Sequence, residues 1–250
     1  MKVTLVGAGK LGTQLYAKLI CIKKIQVLEW YNRSSKKNKT IEGITITNDV
    51  KKLKQSDLYI IAVSDDSIEK VSRILPKDSF VVHTSGCISI NKINQNRRGV
   101  FYPIQTFSEG RNIDFSTISI GLESKRKNDY MILEKLADYL GANCIHINSD
   151  QRKQLHLAAV LVNNFPNYLY AEAEELCIEQ GLSFELLKPL LHETVSKLGQ
   201  LRPSEAQTGP AVRYDKKTIK QHLRLLNKPH IKSIYKLLTN EIQKKYGKQL

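Results

Sequence analysis

Long apolar runs, paired cysteines and repeats are all missing from this sequence, and each absence closes off a class of protein. No apolar run approaches the ~18 residues that a membrane-spanning helix needs. The start, Met1-Lys2-Val3-Thr4-Leu5-Val6-Gly7, has too short an apolar stretch for a secretory signal, so a cytoplasmic soluble protein with no membrane partner is expected. Cysteine is sparse: Cys21, Cys87, Cys144 and Cys177 stand far apart and form neither a CxxC pair nor a Cys/His metal spacing. They are expected to be reduced, buried, small hydrophobes, with no metal bound. Low-complexity tracts are lacking too. With 250 residues, 41% of them apolar and 25% charged, the chain has material for one large core or two modest ones, which excludes disordered, collagenous and disulfide-scaffold classes.

Positive charge, by contrast, is plentiful: 39 Lys plus Arg against 24 Asp plus Glu gives a net +15. Such an excess can serve nucleic acid, an anionic membrane or anionic substrates. Lysines outnumber arginines, they are scattered from Lys2 to Lys248, and no aromatic platform accompanies them. That pattern reads as a solvated basic surface with no specific nucleic-acid partner.

The first half alternates β-rich runs (3–6, 26–31, 58–63, 80–84, 118–121 and 144–147) with stretches of helical apolar spacing (10–20, 67–75 and 128–140). This is the pattern of a parallel sheet with crossover helices. From Asp150 onward the period is helical over 150–178, 183–198, 215–226 and 229–246, punctuated by Gly181, Pro203 and the turn Thr208-Gly209-Pro210. The expected architecture is an α/β Rossmann-type domain with a mostly parallel sheet over 1–149, then an all-α domain over 150–250.

Gly7-Ala8-Gly9-Lys10-Leu11-Gly12 matches G-x-G-x-x-G, follows an apolar run and opens an amphipathic helix. Gly7 permits the tight turn, Gly9 lets the backbone approach a pyrophosphate and Gly12 lets helix and strand pack closely. A glycine-rich turn without a ligand is the alternative. Where an NAD-binding fold carries an acid on the ribose, this chain has Asn32-Arg33-Ser34-Ser35, followed by Lys36 and Lys37. Arg33 can fork onto a 2′-phosphate or stack on adenine while the serines donate hydroxyls, which favours NADP. A solvated loop is the alternative here. Two further strand ends belong to the same expected cofactor face: Val63-Ser64-Asp65, where Asp66 or Ser67 can cap the next helix, and His83-Thr84-Ser85-Gly86.

On the helix expected over 150–178, Leu155, Ala158, Val162, Phe165, Leu169, Ala173 and Leu176 form an apolar face, read as core. Arg152, His156, Asn163, Asn167, Tyr170 and Glu174 cluster opposite, a stripe poor in lysine and read as facing a cleft, and Pro166 should kink the helix or free nearby carbonyls. Arg213 sits in the turn before a helix capped by Asp215, placed to clamp a carboxylate or phosphate or to pair with a neighbouring acid.

The glycine loop, Asn32-Arg33-Ser34, the helical second half and Asn163-Asn164 resemble the 6-phosphogluconate dehydrogenase-like superfamily, which includes β-hydroxyacid dehydrogenases and pyrroline-5-carboxylate reductases. Across the whole chain, His83-Thr84-Ser85-Gly86, Phe101-Tyr102-Pro103-Ile104-Gln105-Thr106-Phe107, His156-Leu157-Ala158-Ala159-Val160 and Thr208-Gly209-Pro210-Ala211 resemble the family that joins a Rossmann-like domain to "domain of unknown function 2520". The resemblance implies the two-domain architecture, a nicotinamide cofactor and a homodimer built on the helical domain. In β-hydroxyacid dehydrogenases the catalytic lysine precedes the Asn-Asn pair by three residues; here Val160 holds that place, and His156, one turn earlier, is the replacement by geometry.

The expected function is thus an NADP(H)-dependent oxidoreductase for a small anionic metabolite, working at the cleft between the two domains. His83, Ser85, His156 and Asn163 would surround the reacting carbon, with Asn167 and Arg213 on the substrate. A non-catalytic NADP(H)-binding sensor is the alternative.

Overall fold

The computed structural model describes residues 1–35, 39–40, 42–50 and 53–247. By contacts it divides into two compact units, Met1–Asn164 and Phe165–Leu250.

In the first unit, short apolar strands and amphipathic helices alternate and build one eight-stranded sheet. Its strands are β1 (Lys2–Val6), β2 (Gln26–Tyr31), β3 (Thr45–Thr47), β4 (Leu58–Ile61), β5 (Phe80–His83), β6 (Arg97–Pro103), β7 (Ser119–Ser124) and β8 (Asn143–His146). They lie in the order β3-β2-β1-β4-β5-β6-β7-β8, and only β6 and β7 pair antiparallel. The helices are α1 (Lys10–Leu19), α2 (Asp65–Ile74) and α3 (Lys127–Tyr139). Leu15 and Leu19 of α1 and Leu133 and Leu136 of α3 pack with Val3 and Leu5 on one face of the sheet, whereas Ile68 of α2 packs with Val6, Tyr59, Ile61 and Val81 on the other. Covering both faces explains why β4 and β5 are buried at every position and read as continuous apolar runs. The strand order reverses between β1 and β4, which is where open α/β sheets bind ligands.

All six strands expected from the sequence are present. The two unforeseen ones have disguised signals. β3 is a three-residue edge strand, and β6 opens with Arg97-Arg98-Gly99 and closes on Pro103. Arg97 is accommodated because its guanidinium meets Asp129 of α3 at 2.6 Å. α2 begins at Asp65 with Ser64 at its cap, so Asp66 and Ser67 lie inside the helix and do not cap it. The cysteines are free, but Cys21, Cys87 and Cys144 are exposed and Cys177 is half-buried, contrary to expectation. Cys144 sits on the sheet's exposed edge strand, Cys87 in the loop after β5, and Cys21 in the turn after α1.

α4 (Ser149–Ala159) starts at a capping box of Asn148 and Gln151 and runs into a five-residue π-helical segment, Val160–Asn164. Pro166 follows two residues after it and has no N–H to continue the α pattern, which fits the wider turn that precedes it. The expected boundary near residue 150 precedes α4; the contacts divide later, at Asn164, because α4 is anchored into the first unit through Arg152.

The second unit holds α5 (Phe165–Glu179), α6 (Lys188–Ser196), α7 (Lys216–Leu225) and α8 (Pro229–Tyr246). Asp215 caps α7, its carboxylate accepting the Thr218 N–H at 3.0 Å. The apolar face read as core is not buried: Val162 is 77%, Phe165 57% and Leu176 40% exposed. These side chains are left partly or largely in water. No helix among the described residues is long and apolar enough to cross a membrane.

Candidate cofactor and proton-donor site

The glycine loop joins β1 to α1. Gly7 has φ +110°, and a Cβ there would lie 2.2 Å from the Ala62 carbonyl oxygen. A Cβ on Gly12 would lie 2.4 Å from the Gly7 oxygen, whereas one on Gly9 would meet nothing within 4 Å. Two glycines therefore allow close packing and the middle one opens onto space. Trp30 fixes the loop from β2: its indole N–H donates to the Gly7 oxygen at 2.8 Å, and its ring stacks on Tyr16 at 4.2 Å. No side chain caps α1 and no acid lies in its first turn, so its N-terminal N–H groups present positive potential.

That space is a cavity of about 910 Å³ at the switch point between β1 and β4, of the size that holds a cofactor. Residues 7–11, 31–34 and 62–64 and Thr84 line it, as does one flank of α2, namely Ser67, Lys70, Val71 and Ile74. Of the cofactor residues expected from the sequence, Gly12, Asp65 and His83 lie off its wall. Among the described residues Lys10, Arg33 and Lys70 are its charged lining residues and no acid is among them. Asn32 shapes the rim: its N–H donates to the Thr47 oxygen at 2.9 Å, and its Oδ1 accepts the Ser34 N–H at 3.2 Å. Arg33 and Ser34 are thereby held exposed at the mouth. Lys36 and Lys37 lie outside the described residues. An open Gly9, an uncapped helix start and three cations without an acid fit the phosphates of a dinucleotide.

A second group of residues lies just past β5. His83 is fully buried, and its Nδ1 accepts the Ser85 N–H at 3.1 Å. Burial, and next the Arg152 charge, push its pKa down to about 3, so it is neutral near pH 7. The Ser85 hydroxyl accepts the N–H groups of Cys87 and Ile88, each at 3.1 Å. These two residues therefore shape the loop. Arg152, expected on a cleft-facing stripe, is entirely buried. Its guanidinium donates to the Ser85 oxygen at 3.1 Å, to the Ile88 oxygen, to Ser149 Oγ at 3.2 Å and to the Glu123 carboxylate of β7. One turn later on α4, half-buried His156 places Nδ1 3.2 Å from the Tyr102 hydroxyl of β6. Its ring fills the space a side chain at Gly86 would need, where a Cβ would lie 2.6 Å from Nδ1. Asn163 in the π segment, Asn167 in α5 and Arg213 before α7 are exposed.

The model of a family described as a domain of unknown function (DUF2520) matches residues 118–242. A solved Bacteroides fragilis protein, proposed to be an NADP oxidoreductase, is 35% identical over 97% of this chain and 98% of that one, with a TM-score of 0.85. The chain belongs to this family. Its Rossmann fold extends to more distant solved structures. Plasmodium falciparum pyrroline carboxylate reductase, with NADP bound, is 17% identical over 99% of this chain and 98% of that one, at a TM-score of 0.59. A reductive aminase from Aspergillus terreus, in complex with NADPH and ethyl-5-oxohexanoate, is 15% identical over 99% and 96%, at a TM-score of 0.71. At such identities the fold is what is shared. No curated protein matches the sequence.

Sequence reasoning missed three residues of the site, Trp30, Lys70 and Tyr102, and put a fourth, Arg152, on a cleft-facing stripe where the structure buries it. Lys70 was within reach, because Ser67, Lys70, Val71 and Ile74 recur at helical spacing on one face of α2. Trp30, Tyr102 and Arg152 act through contacts 23 to 67 residues away in the chain, which no local pattern shows.

Proposed function

We propose that this DUF2520-family chain is an NADP(H)-dependent oxidoreductase acting on a small anionic carbonyl or imine metabolite. The observation that carries the reading is the cavity at the sheet's switch point, open above Gly9 and rimmed by Arg33 and Ser34 with no acid among its lining residues. The N–H groups at the start of α1 would hold the pyrophosphate, Arg33 and Ser34 the 2′-phosphate, and residues 62–64 with Thr84 the nicotinamide ribose. When bound, the cofactor supplies the hydride. His156 is the proton donor of this reading, since His83 is buried and neutral and Val160 carries no proton. Asn163 would hold the reacting group, and Asn167 and Arg213 the acid group of the substrate.

The protein works as a homodimer built on the helical unit. In support, that unit leaves large apolar side chains in water: Leu186 is 68%, Val195 65%, Leu190 62% and Leu237 62% exposed. Exposed apolar surface on this scale marks an interaction surface.

The deciding experiment is calorimetric titration with both cofactors. NADPH should bind at least tenfold tighter than NADH, and Arg33→Ala should remove most of that preference. Equal affinities in the wild type overturn the cofactor assignment. Tight NADPH binding without turnover of any keto acid or cyclic imine would move the protein into the class of NADP(H) sensors.

A further inference from the structure

From the contact between β6 and α4 we propose that Tyr102 is the proton reservoir for His156, so that the pair delivers a proton to the substrate without needing a charged imidazole. The inference rests on the reading of His156 as the proton donor.

A histidine acting alone must be an imidazolium to give up a proton and stay neutral, and imidazolium becomes scarce above the usual histidine range near ~6.5. The Tyr102 hydroxyl, 3.2 Å from Nδ1, removes that restriction. A phenolic O–H donating to Nδ1 fixes the neutral tautomer with its proton on Nε2. As the substrate is reduced by the two electrons of the nicotinamide dinucleotide, the Nε2–H bond breaks and an O–H or N–H bond forms on the former carbonyl oxygen or imine nitrogen. The phenolic O–H breaks in turn and its proton moves to Nδ1. The imidazole ends neutral with its proton on Nδ1 and Tyr102 ends as phenolate; once product has left, water protonates Nε2 and the Nδ1 proton returns to the phenolate, which restores the starting pair.

The surroundings hold this pair in register. Tyr102 is almost fully buried and packs with Ile90 and Val100. The two rings meet edge-on, with centroids 6.1 Å apart. Gly86 leaves room for the imidazole, and Arg152 pins α4 one turn upstream to the Ser85 carbonyl. The titratable and charged groups facing Tyr102 are His156, Cys87 and Arg152. Burial, and then the Cys87 thiol, raise the Tyr102 pKa above 10, with Arg152 opposing, so the phenol stays protonated in the ground state. Cys87 also feels Asp65, Arg152 and Lys153, and desolvation of its thiol raises its own pKa, so near pH 7 it puts no negative charge beside the phenol.

The test uses full-length protein labelled with ¹⁵N-histidine, without cofactor. In the wild type the His156 Nδ1 resonance should report a hydrogen-bonded acceptor, and Tyr102→Phe should shift it toward a bare ring nitrogen while the other histidines stay in place. Gly86→Ala, which keeps both groups but displaces the ring, should give the same shift. An Nδ1 resonance indifferent to Tyr102→Phe overturns the proposal. With a turnover substrate, wild-type rates should hold between pH 7 and 9. Tyr102→Phe should lose about tenfold per pH unit over that range, because it depends on imidazolium. Parallel profiles for the two proteins overturn it as well. Calorimetry with NADPH separates the two failures. Loss of cofactor binding would sink the oxidoreductase reading, whereas intact binding beside an unresponsive Nδ1 would sink the relay alone.

Discussion

Alanine at Gly7 and at Gly9 should have opposite consequences, although the two sites are two residues apart in one loop. At Gly7 the φ of +110° is one that L side chains avoid, and the new Cβ would lie 2.2 Å from the Ala62 oxygen and 2.7 Å from its carbonyl carbon. Backbone strain costs ~1–3 kcal/mol and overpacking against backbone a further ~1–3 kcal/mol. Each kcal/mol lowers the melting midpoint of a unit this size by roughly 2–4 °C, so Gly7→Ala should melt roughly 4–24 °C early. Gly9 has φ −72° and ψ −176°, ordinary for alanine, and its Cβ would meet nothing within 4 Å. Only a favoured helix cap is lost, at most ~1 kcal/mol. The methyl group would nevertheless stand in the cavity beside the helix N–H groups. Losing one charge-assisted hydrogen bond to a phosphate costs about 1.5–3 kcal/mol, which raises the Kd for NADPH roughly 10–150-fold. Thermal unfolding of the cofactor-free variants and calorimetry with NADPH measure the two effects separately. If Gly9→Ala binds NADPH as tightly as the wild type, the pyrophosphate does not lie over this loop. If Gly7→Ala melts with the wild type, the packing argument fails.

Other outcomes follow from the same geometry. His156→Ala should lower turnover by roughly 10²–10⁴ while leaving the NADPH affinity intact, and full turnover in this variant would pass the donor role elsewhere. Arg213→Ala should raise KM for an acidic substrate with kcat and cofactor binding unchanged, as expected of a remote clamp; an unaltered KM removes it from the site. Sedimentation should show a dimer that Val195→Glu weakens, and a wild-type monomer at micromolar concentration would refute the interface. His83 should make the first unit acid-sensitive. Its folded pKa of about 3 lies below the ordinary histidine value of 6.5, so its stabilising contribution is fully present above ~6.5 and is lost as pH falls toward 3. Urea midpoints should fall across that window, by up to ~1.4 kcal/mol per pH unit from this group, and less steeply in His83→Asn. Equal slopes would show that the imidazole is not kept neutral by burial.

The features legible in the sequence were those whose signal is local. The glycine loop carries its own context, a strand before and a helix after, and Asp215 announces the helix it caps. β6 was hidden because its cues point the wrong way: two arginines, a glycine and a proline in seven residues argue against a strand until Asp129 is seen to neutralise Arg97. Arg152 misled for a related reason. Plotted on a helix, a long cation beside His156 looks solvent- or cleft-facing. What buries it is a set of acceptors, the carbonyls of Ser85 and Ile88 and the Glu123 carboxylate, that lie 67, 64 and 29 residues earlier in the chain.

The apolar stripe along α4 and α5 shows where periodicity stops being informative. Spacing at 3.6 residues groups Val162, Phe165 and Leu176 as an apolar stripe read as core, but the π-helical segment Val160–Asn164 shifts that register and the side chains are exposed. It does not identify the cover, and the same pattern is written by a helix packed inside its own chain and by one that waits for another. Exposure distinguishes them: at 77%, 57% and 40% exposed, these side chains are incompletely covered among the described residues. At about 25 cal/mol per Å² of apolar surface, leaving a row of such side chains in water forfeits the burial energy that ordinarily holds a helical unit together. In the proposed homodimer a second copy would supply a cover of matching character, because an apolar face repeated across a twofold axis is complementary to itself.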